Sequence, residues 1–324
     1  MKAAVFSRYG PPEVVHIEDV EKPVPADNEV LVRVRATTVC AADWRMRSAN
    51  PFFIRLFMGL TGPRKVHVLG MEFSGTVESV GGAVTRFRAG DQVFGGTGFK
   101  FGTHAEYVCV PEDGTLAPKP GNMTFEEAAA VLFGGFTALT FLRKAKIHAG
   151  QNVLVYGASG SVGVFTVQLA KHFGARVTGV CSTANLEMVK SLGADEVLDY
   201  TREDFSRAGR VYDSVFDTVG YSGFSRSLRS LKRGGFYAQI GYSGRALAMP
   251  VNMIRGMWTS LTGTAKVIGG VGTGTREDAE FLGELIEAGQ LRTVIDRCYP
   301  LAQIGEAHRL AESGHKKGHA VVVV

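Results

Sequence analysis

The chain reads as an α/β protein in which a doubly wound parallel sheet is inserted within an irregular β-barrel. Three observations carry this. Residues 2–110 alternate short apolar runs with turn signals; from residue 152 strands alternate with helices; and the last five residues, Ala320 to Val324, form an apolar strand placed to rejoin the first half.

In the first half, Lys2 to Phe6, Glu29 to Arg35, Phe73 to Val80 and Ala105 to Val110 carry the period-two pattern of strands. Pro11-Pro12, Pro23, Pro25, Gly81-Gly82, Gly90-Asp91 and Gly95-Gly96 punctuate them. The character changes near Pro118 to Gly121. Thr124 and Glu127 form a capping box that opens an apolar helix running toward Lys144 and Lys146.

Asn152 to Tyr156 then reads as a buried strand, Val162 to Phe173 as a helix stopped by Gly174, and Ala175 to Cys181 as the next strand. A helix over Asn185 to Leu192 stops at Gly193; strands follow at 196–200, 211–217 and 235–240. Repeated strand–helix–strand units require a parallel sheet, because parallel neighbours are joined by a crossover helix. Helices at Arg276 to Ala288 and Ile304 to Glu312 lead to the final strand.

At 324 residues, 45% hydrophobic and 21% charged, the chain is globular rather than disordered. The net charge of +5 is dispersed, which argues against a nucleic-acid surface. The apolar stretch Pro51 to Leu60 is interrupted by Arg55 and too short for a membrane span; it reads as a lid or buried loop. Cys40, Cys109, Cys181 and Cys298 lie far apart with no paired spacing, which fits free thiols in a reducing cytoplasm.

The sharpest chemical signal is Gly157, Gly160 and Gly163, spaced GxxGxxG between a strand and a helix. Glycines there allow a tight turn, let backbone N–H groups approach a pyrophosphate, and let the helix pack on the sheet. The following strand ends in Cys181-Ser182-Thr183 instead of the carboxylate that binds the ribose of NAD. Hydroxyls there tolerate a 2′-phosphate that a carboxylate would repel, so the cofactor is expected to be NADP(H), with Lys190 and Arg202 as candidate charge partners.

Taken together, Met1 to Phe6, Gly10 to Val14, Glu29 to Val34, Leu69 to Val77, Gly90 to Phe94, Gly157 to Gly163, Gly289 to Arg292 and Gly318 to Val322 resemble the medium-chain dehydrogenase/reductase superfamily. The pattern spans nearly the whole chain and is most similar to the zeta-crystallin-type quinone oxidoreductases and their enone-reducing relatives. The resemblance implies a GroES-like catalytic domain over residues 1–121 plus 288–324 and a Rossmann-type NADP-binding domain over 122–287. Zinc-dependent members of the superfamily ligate the metal at positions that here hold Cys40, Met71 and Phe133, with Glu72 alongside. A thioether and a phenyl ring cannot complete a zinc site, so no metal is expected. Without a Lewis acid, a quinone or conjugated enone is a better acceptor than a plain ketone, because it is already electrophilic.

The resemblance further implies Thr137 near the nicotinamide carboxamide and Gly157, Ser159, Gly160, Val162 and Gly163 as the pyrophosphate cradle. Ser182, Thr183 and Tyr200 would lie by the adenosine phosphate, and Val219, Gly241 and Tyr242 by the ribose and nicotinamide. Some relatives carry a lysine where this chain has Leu186. On the substrate side Cys40, Asp43 and Arg45 are the candidate catalytic residues, with Phe52 and Trp258 as lining and His67 and His104 within reach of a cleft. Ala265 to Gly270 reads as an edge strand that would pair two copies into a homodimer. The expected activity is NADPH-dependent reduction of a small quinone or enone. The alternatives are a zinc-type alcohol or aldehyde dehydrogenase, or a non-catalytic NADPH-binding protein of crystallin-like or RNA-binding type.

Overall fold

The computed structural model describes residues 1–64, 67–207, 209–241 and 248–324. The chain divides into two compact units, one of residues Met1–Phe133 and Gly274–Val324, the other of Gly134–Thr273.

The first unit opens with β1 (Lys2–Val5) and β2 (His16–Asp19), an antiparallel pair. It continues through β3 (Glu29–Val39), α1 (Ala41–Ser48), α2 (Ile54–Met58), β4 (Glu72–Val80), β5 (Gln92–Gly96), β6 (Tyr107–Pro111), β7 (Thr115–Pro118) and α3 (Phe125–Ala129). The eleven-residue β3 organises the sheet. Its first half pairs with β6, its second half with the C-terminal strand, and β4 runs along most of its length with two register shifts. Inward residues Val30, Val32, Val34, Phe73, Val93 and Leu116 form one apolar core, as period-two patterning demands.

The second unit begins within α4 (Leu132–Ala145) and contains β8 (Asn152–Tyr156), α5 (Ser161–His172), β9 (Arg176–Cys181), α6 (Leu186–Ser191), β10 (Glu196–Asp199), β11 (Tyr212–Asp217), α7 (Phe224–Arg229), β12 (Leu231–Gln239), α8 (Ala248–Leu261) and β13 (Ala265–Gly269). The six strands are all parallel in the order β10-β9-β8-β11-β12-β13. The strand order therefore reverses beside β8, the point at which doubly wound sheets bind nucleotides. Gly174 and Gly193, at φ +80° and +97°, follow the ends of α5 and α6 as the sequence predicts, because a left-handed residue there closes the last turn without a Cβ clash.

The chain then returns to the first unit through α9 (Arg276–Glu287), β14 (Ile295–Pro300), α10 (Ile304–Ser313) and β15 (His319–Val323). β15 inserts between β14 and β3, so the final strand does rejoin the first half.

The unit boundaries fall at 133/134 and 273/274, whereas the sequence placed them at 121/122 and 287/288. The displaced segments are α3 and α9. α3 buries Ala128 and Ala129 on the sheet of β3 and β4, and α9 packs on β7 with Gly283 near Phe94. The predicted single helix from the capping box is two, α3 and α4, although the box itself forms: the Thr124 hydroxyl accepts the Glu127 N–H at 3.2 Å, and the Glu127 carboxylate accepts the Thr124 N–H at 2.9 Å.

Candidate active site

In the second unit the glycine loop follows β8 directly. Gly157 sits at φ +83°, and a Cβ there would lie 2.6–2.7 Å from Thr218 and Val219. At Gly163 a Cβ would meet the Gly157 carbonyl oxygen at 2.1 Å, so α5 packs against the loop only because this residue is glycine. Gly160 caps α5 at φ −83° and is different: the nearest atom to a Cβ would be 3.6 Å away. Its missing side chain leaves open space over the helix N-terminus, where the first-turn N–H groups and the helix dipole favour an anion. The loop fits a dinucleotide pyrophosphate.

Ser159 belongs to the same loop. Its hydroxyl accepts a hydrogen bond from the Asn185 side-chain amide at 3.2 Å, and the same amide donates to Ser182 at 3.2 Å. Asn185 thus ties the glycine loop to the end of β9. Sequence reasoning missed it, because an asparagine after a strand looks like any turn residue.

Thr183 gives its hydroxyl hydrogen to Asp199, whose carboxylate also accepts the N–H and hydroxyl of Thr201 at 2.9 and 2.7 Å. The Ser182 hydroxyl, by contrast, accepts from Asn185 and is not the one that bonds Asp199. Tyr200 flanks the end of β9, its N–H donating to the Cys181 carbonyl at 3.1 Å. Lys190 is turned away, onto the Asp195 carbonyl at 2.6 Å.

The loop after β11 is fixed by Asp217. Its buried carboxylate accepts N–H groups from Val219, Gly220 and Ser222 at 3.2, 2.7 and 3.0 Å, and the Ser222 hydroxyl at 2.6 Å. Loss of water raises its pKa, against the pull of those donors. Gly241 is pressed against this loop, since a Cβ would lie 2.3 Å from Val219 backbone atoms. Thr137 is buried on α4, with Gly272 closely apposed to its Cα. Val162 is buried in α5. Tyr242 lies outside the described residues, and Trp258 is exposed on α8.

In the first unit, Cys40, Met71 and Phe133 do come together, in an apolar cluster with Phe6, Leu69 and Phe101. The Cys40 sulfur is 3.9 Å from the Met71 sulfur. Burial, with Asp43 nearby, pushes the Cys40 thiol well up, so it stays protonated. The buried Glu72 carboxylate accepts the Thr38 hydroxyl at 2.5 Å and the Phe133 N–H at 2.7 Å; desolvation carries its pKa to about 7. One thiol, a thioether, a phenyl ring and a carboxylate with both oxygens already bonded do not supply the three or four N, O or S donors that a zinc ion needs.

Asp43 is positioned by the backbone around it. It is fully buried, and its carboxylate accepts the Cys40 N–H at 2.8 Å and the Gly70 N–H at 2.9 Å, capping α1. The Arg45 guanidinium lies 4.6 Å over the Trp44 ring. Phe52 is 66% exposed, as are neighbouring Leu56 and Leu60 to similar degrees. His104, expected near a cleft, is wholly buried, its Nε2 donating to the Thr38 carbonyl at 2.9 Å.

Comparison with known proteins places these features in a family. Residues 26–121 match the alcohol dehydrogenase GroES-like domain, and residues 192–322 match a family described as zinc-binding dehydrogenase. The mouse mitochondrial NAD(P)H oxidoreductase RTN4IP1 is 32% identical over 100% of this chain and 89% of its own length. The chloroplastic NADPH-dependent alkenal/one oxidoreductase of Arabidopsis thaliana is 31% identical over 99% of this chain and 79% of its own. The solved quinone oxidoreductase of Coxiella burnetii superposes with a TM-score of 0.88 at 31% identity, covering 100% of this chain and 99% of that one. With a glycine loop at the sheet's switch point, a GroES-like first unit and relatives of this similarity across its length, the chain belongs to the medium-chain dehydrogenase/reductase superfamily, in its quinone and enone oxidoreductase branch.

Proposed function

We propose that this protein is an NADPH-dependent reductase that transfers hydride to quinones or α,β-unsaturated carbonyl compounds without zinc. The single observation that carries the reading is the grouping of Cys40, Met71 and Phe133: the positions that would hold a metal form an apolar cluster instead. The names of the related proteins, an NADPH-dependent alkenal/one oxidoreductase and a quinone oxidoreductase among them, support the same reading.

When bound, NADPH supplies a hydride. The chain's own residues bind and orient it. Gly157, Ser159, Gly160, Val162 and Gly163 offer a backbone cradle and the N-terminus of α5 to the pyrophosphate. Ser182 and Tyr200 border the adenosine end; Thr137, Val219, Gly241 and Tyr242 are assigned to the nicotinamide end. Cys40 and its apolar neighbours exclude water and offer no Lewis acid, so the acceptor must be activated by its own conjugation. Cys40 and Arg45 remain candidates for contact with substrate, whereas Asp43 acts through the position of α1. Consumption of NADPH by chelator-treated protein, with conjugated and saturated carbonyl acceptors compared, tests the proposal.

We further infer a homodimer. β13 ends the six-stranded sheet with β12 as its neighbour, and Met257, Trp258, Leu261 and Val271 around it are exposed. A light-scattering mass of twice the chain is expected; a monomer mass overturns this. Four free thiols fit the cytoplasm, a placement that fractionation checks. No helix among the described residues is long and apolar enough to cross a membrane.

A further inference from the structure

A cavity of about 240 Å³ opens in the second unit, walled by Tyr156, Tyr200 and Phe205 and edged by Arg202, Asp204 and Arg226. Its place follows from the topology. Tyr156 is the last residue of β8, immediately before Gly157; Tyr200 is bonded to the end of β9 through the Cys181 carbonyl, one residue beyond β10. The cavity therefore lies at the carboxyl ends of β8, β9 and β10, on the β9 side of the glycine loop. A dinucleotide whose pyrophosphate sits on that loop places its adenosine ribose on this side.

The charges around the cavity are arranged unevenly. Asp199 is committed to Thr183 and Thr201, and Asp204 to the N–H and hydroxyl of Ser206 at 2.9 and 2.8 Å. Those donors draw both carboxylates onto their own loop, and both pKa values fall below the usual range even against burial. The two guanidiniums are held loosely by comparison. Arg226 donates through Nη2 to the Tyr221 carbonyl at 3.1 Å, while its Nη1 stands 3.9 Å from Asp204. Arg202 is 3.5 Å from Asp199 with a largely exposed side chain. Each keeps N–H donors for an incoming anion, and a guanidinium matches a phosphate bidentately. Glu203 also borders the cavity, but from an exposed position where water screens it.

Building on the NADPH reading above, we propose that Arg226, assisted by Arg202, supplies the positive charge that holds the cofactor's 2′-phosphate and so sets the preference for NADPH over NADH. Leu186, at the start of α6, offers no charge to a phosphate, and the cations that border the cavity are these two arginines. Arg226 is the more fixed of the two, through its bond to Tyr221, and Arg202 is the more exposed.

The test is direct binding to the full chain, read by calorimetry or by quenching of protein fluorescence, with NADPH, NADH and 2′,5′-ADP as probes. Wild-type protein is expected to prefer NADPH. Arg226→Gln is expected to weaken NADPH and 2′,5′-ADP by about tenfold or more and leave NADH unchanged. Arg202→Gln should move the same way by less, and Arg226→Lys should recover part of the loss. NADH binding serves as the control for folding of each variant. An Arg226→Gln protein that keeps its NADPH affinity, or loses NADPH and NADH equally, overturns the assignment of Arg226 while the NADPH reading stands. A wild-type chain that binds neither cofactor, or binds both alike, overturns both.

Discussion

The side-chain amide of Asn185 donates to the Ser159 hydroxyl at 3.2 Å, joining the glycine loop to the residues just beyond β9. Because the same amide also reaches Ser182, one side chain sets the distance between the pyrophosphate cradle and the adenosine end. Asn185→Ala removes both bonds at a buried position. The expected cost is about 1–2 kcal/mol of stability, and NADPH and NADH binding should weaken together by roughly fivefold. Denaturant melts and paired titrations check it; loss confined to NADPH would show that Asn185 serves the phosphate alone.

Gly163 and Gly160 should respond differently to alanine. At Gly163 the new Cβ would lie 2.1 Å from the Gly157 carbonyl oxygen, a backbone atom that can yield only if α5 and the loop separate. Gly163→Ala is expected to lose about 1–3 kcal/mol and most cofactor affinity. Gly160→Ala has open space and an allowed backbone conformation. It should melt within about 0.5 kcal/mol of wild type while losing cofactor binding, because the methyl group occupies the approach to the helix N-terminus.

Two buried histidines act on the pH dependence of stability between about pH 5 and 6 against the buried carboxyls of Glu72 and Asp217, both raised by loss of water. His308 is wholly buried beside His104 and Arg47, and loss of water, then those neighbours, hold its pKa well below the usual value; His319 is drawn to about 3 by burial and Lys316. Unfolding lets both histidines take up protons that the native state refuses, so their contribution falls as pH drops below about 6.5. Glu72 has the opposite sign. Its native pKa of about 7 lies above the unfolded value of 4.5, so its contribution is present at low pH and lost as pH rises. Two histidines against Glu72, with Asp217 on the side of Glu72, leave the unfolded state at most one proton richer. Stability should therefore fall by up to about 1.4 kcal/mol per pH unit on acidification through this window. His308→Leu, with one histidine against one glutamate, should flatten the slope in urea melts; an unchanged slope would remove His308 from the account.

Much of the fold was legible because local signals and tertiary demands agree. The glycines at 157, 174 and 193 take positive φ, the Thr124–Glu127 box forms, and the period-two run at the C-terminus pairs with β3. The sides on which α3 and α9 pack were not legible. α9 is an ordinary amphipathic helix, and its sequence shows that one face is buried but not that the face lies on β7. The partners of Thr183 and Asp43 were hidden in the same way. A hydroxyl or carboxylate in the right segment looks available in sequence, whereas Thr183 is bonded to Asp199 and Asp43 to two backbone N–H groups. The Cys40–Met71–Phe133 grouping was legible, since it depends only on which residue types occupy three positions that the fold brings together.

The measurement that tests the central claim most directly is the initial rate of cofactor oxidation by chelator-treated, metal-free protein. NADPH and NADH are each offered a quinone, a conjugated enal and a saturated aldehyde. Zinc-free conjugate reduction predicts NADPH turnover with the quinone or the enal, none with the saturated aldehyde, and no gain on adding zinc. Turnover of the saturated aldehyde alone, restored by zinc, would contradict it.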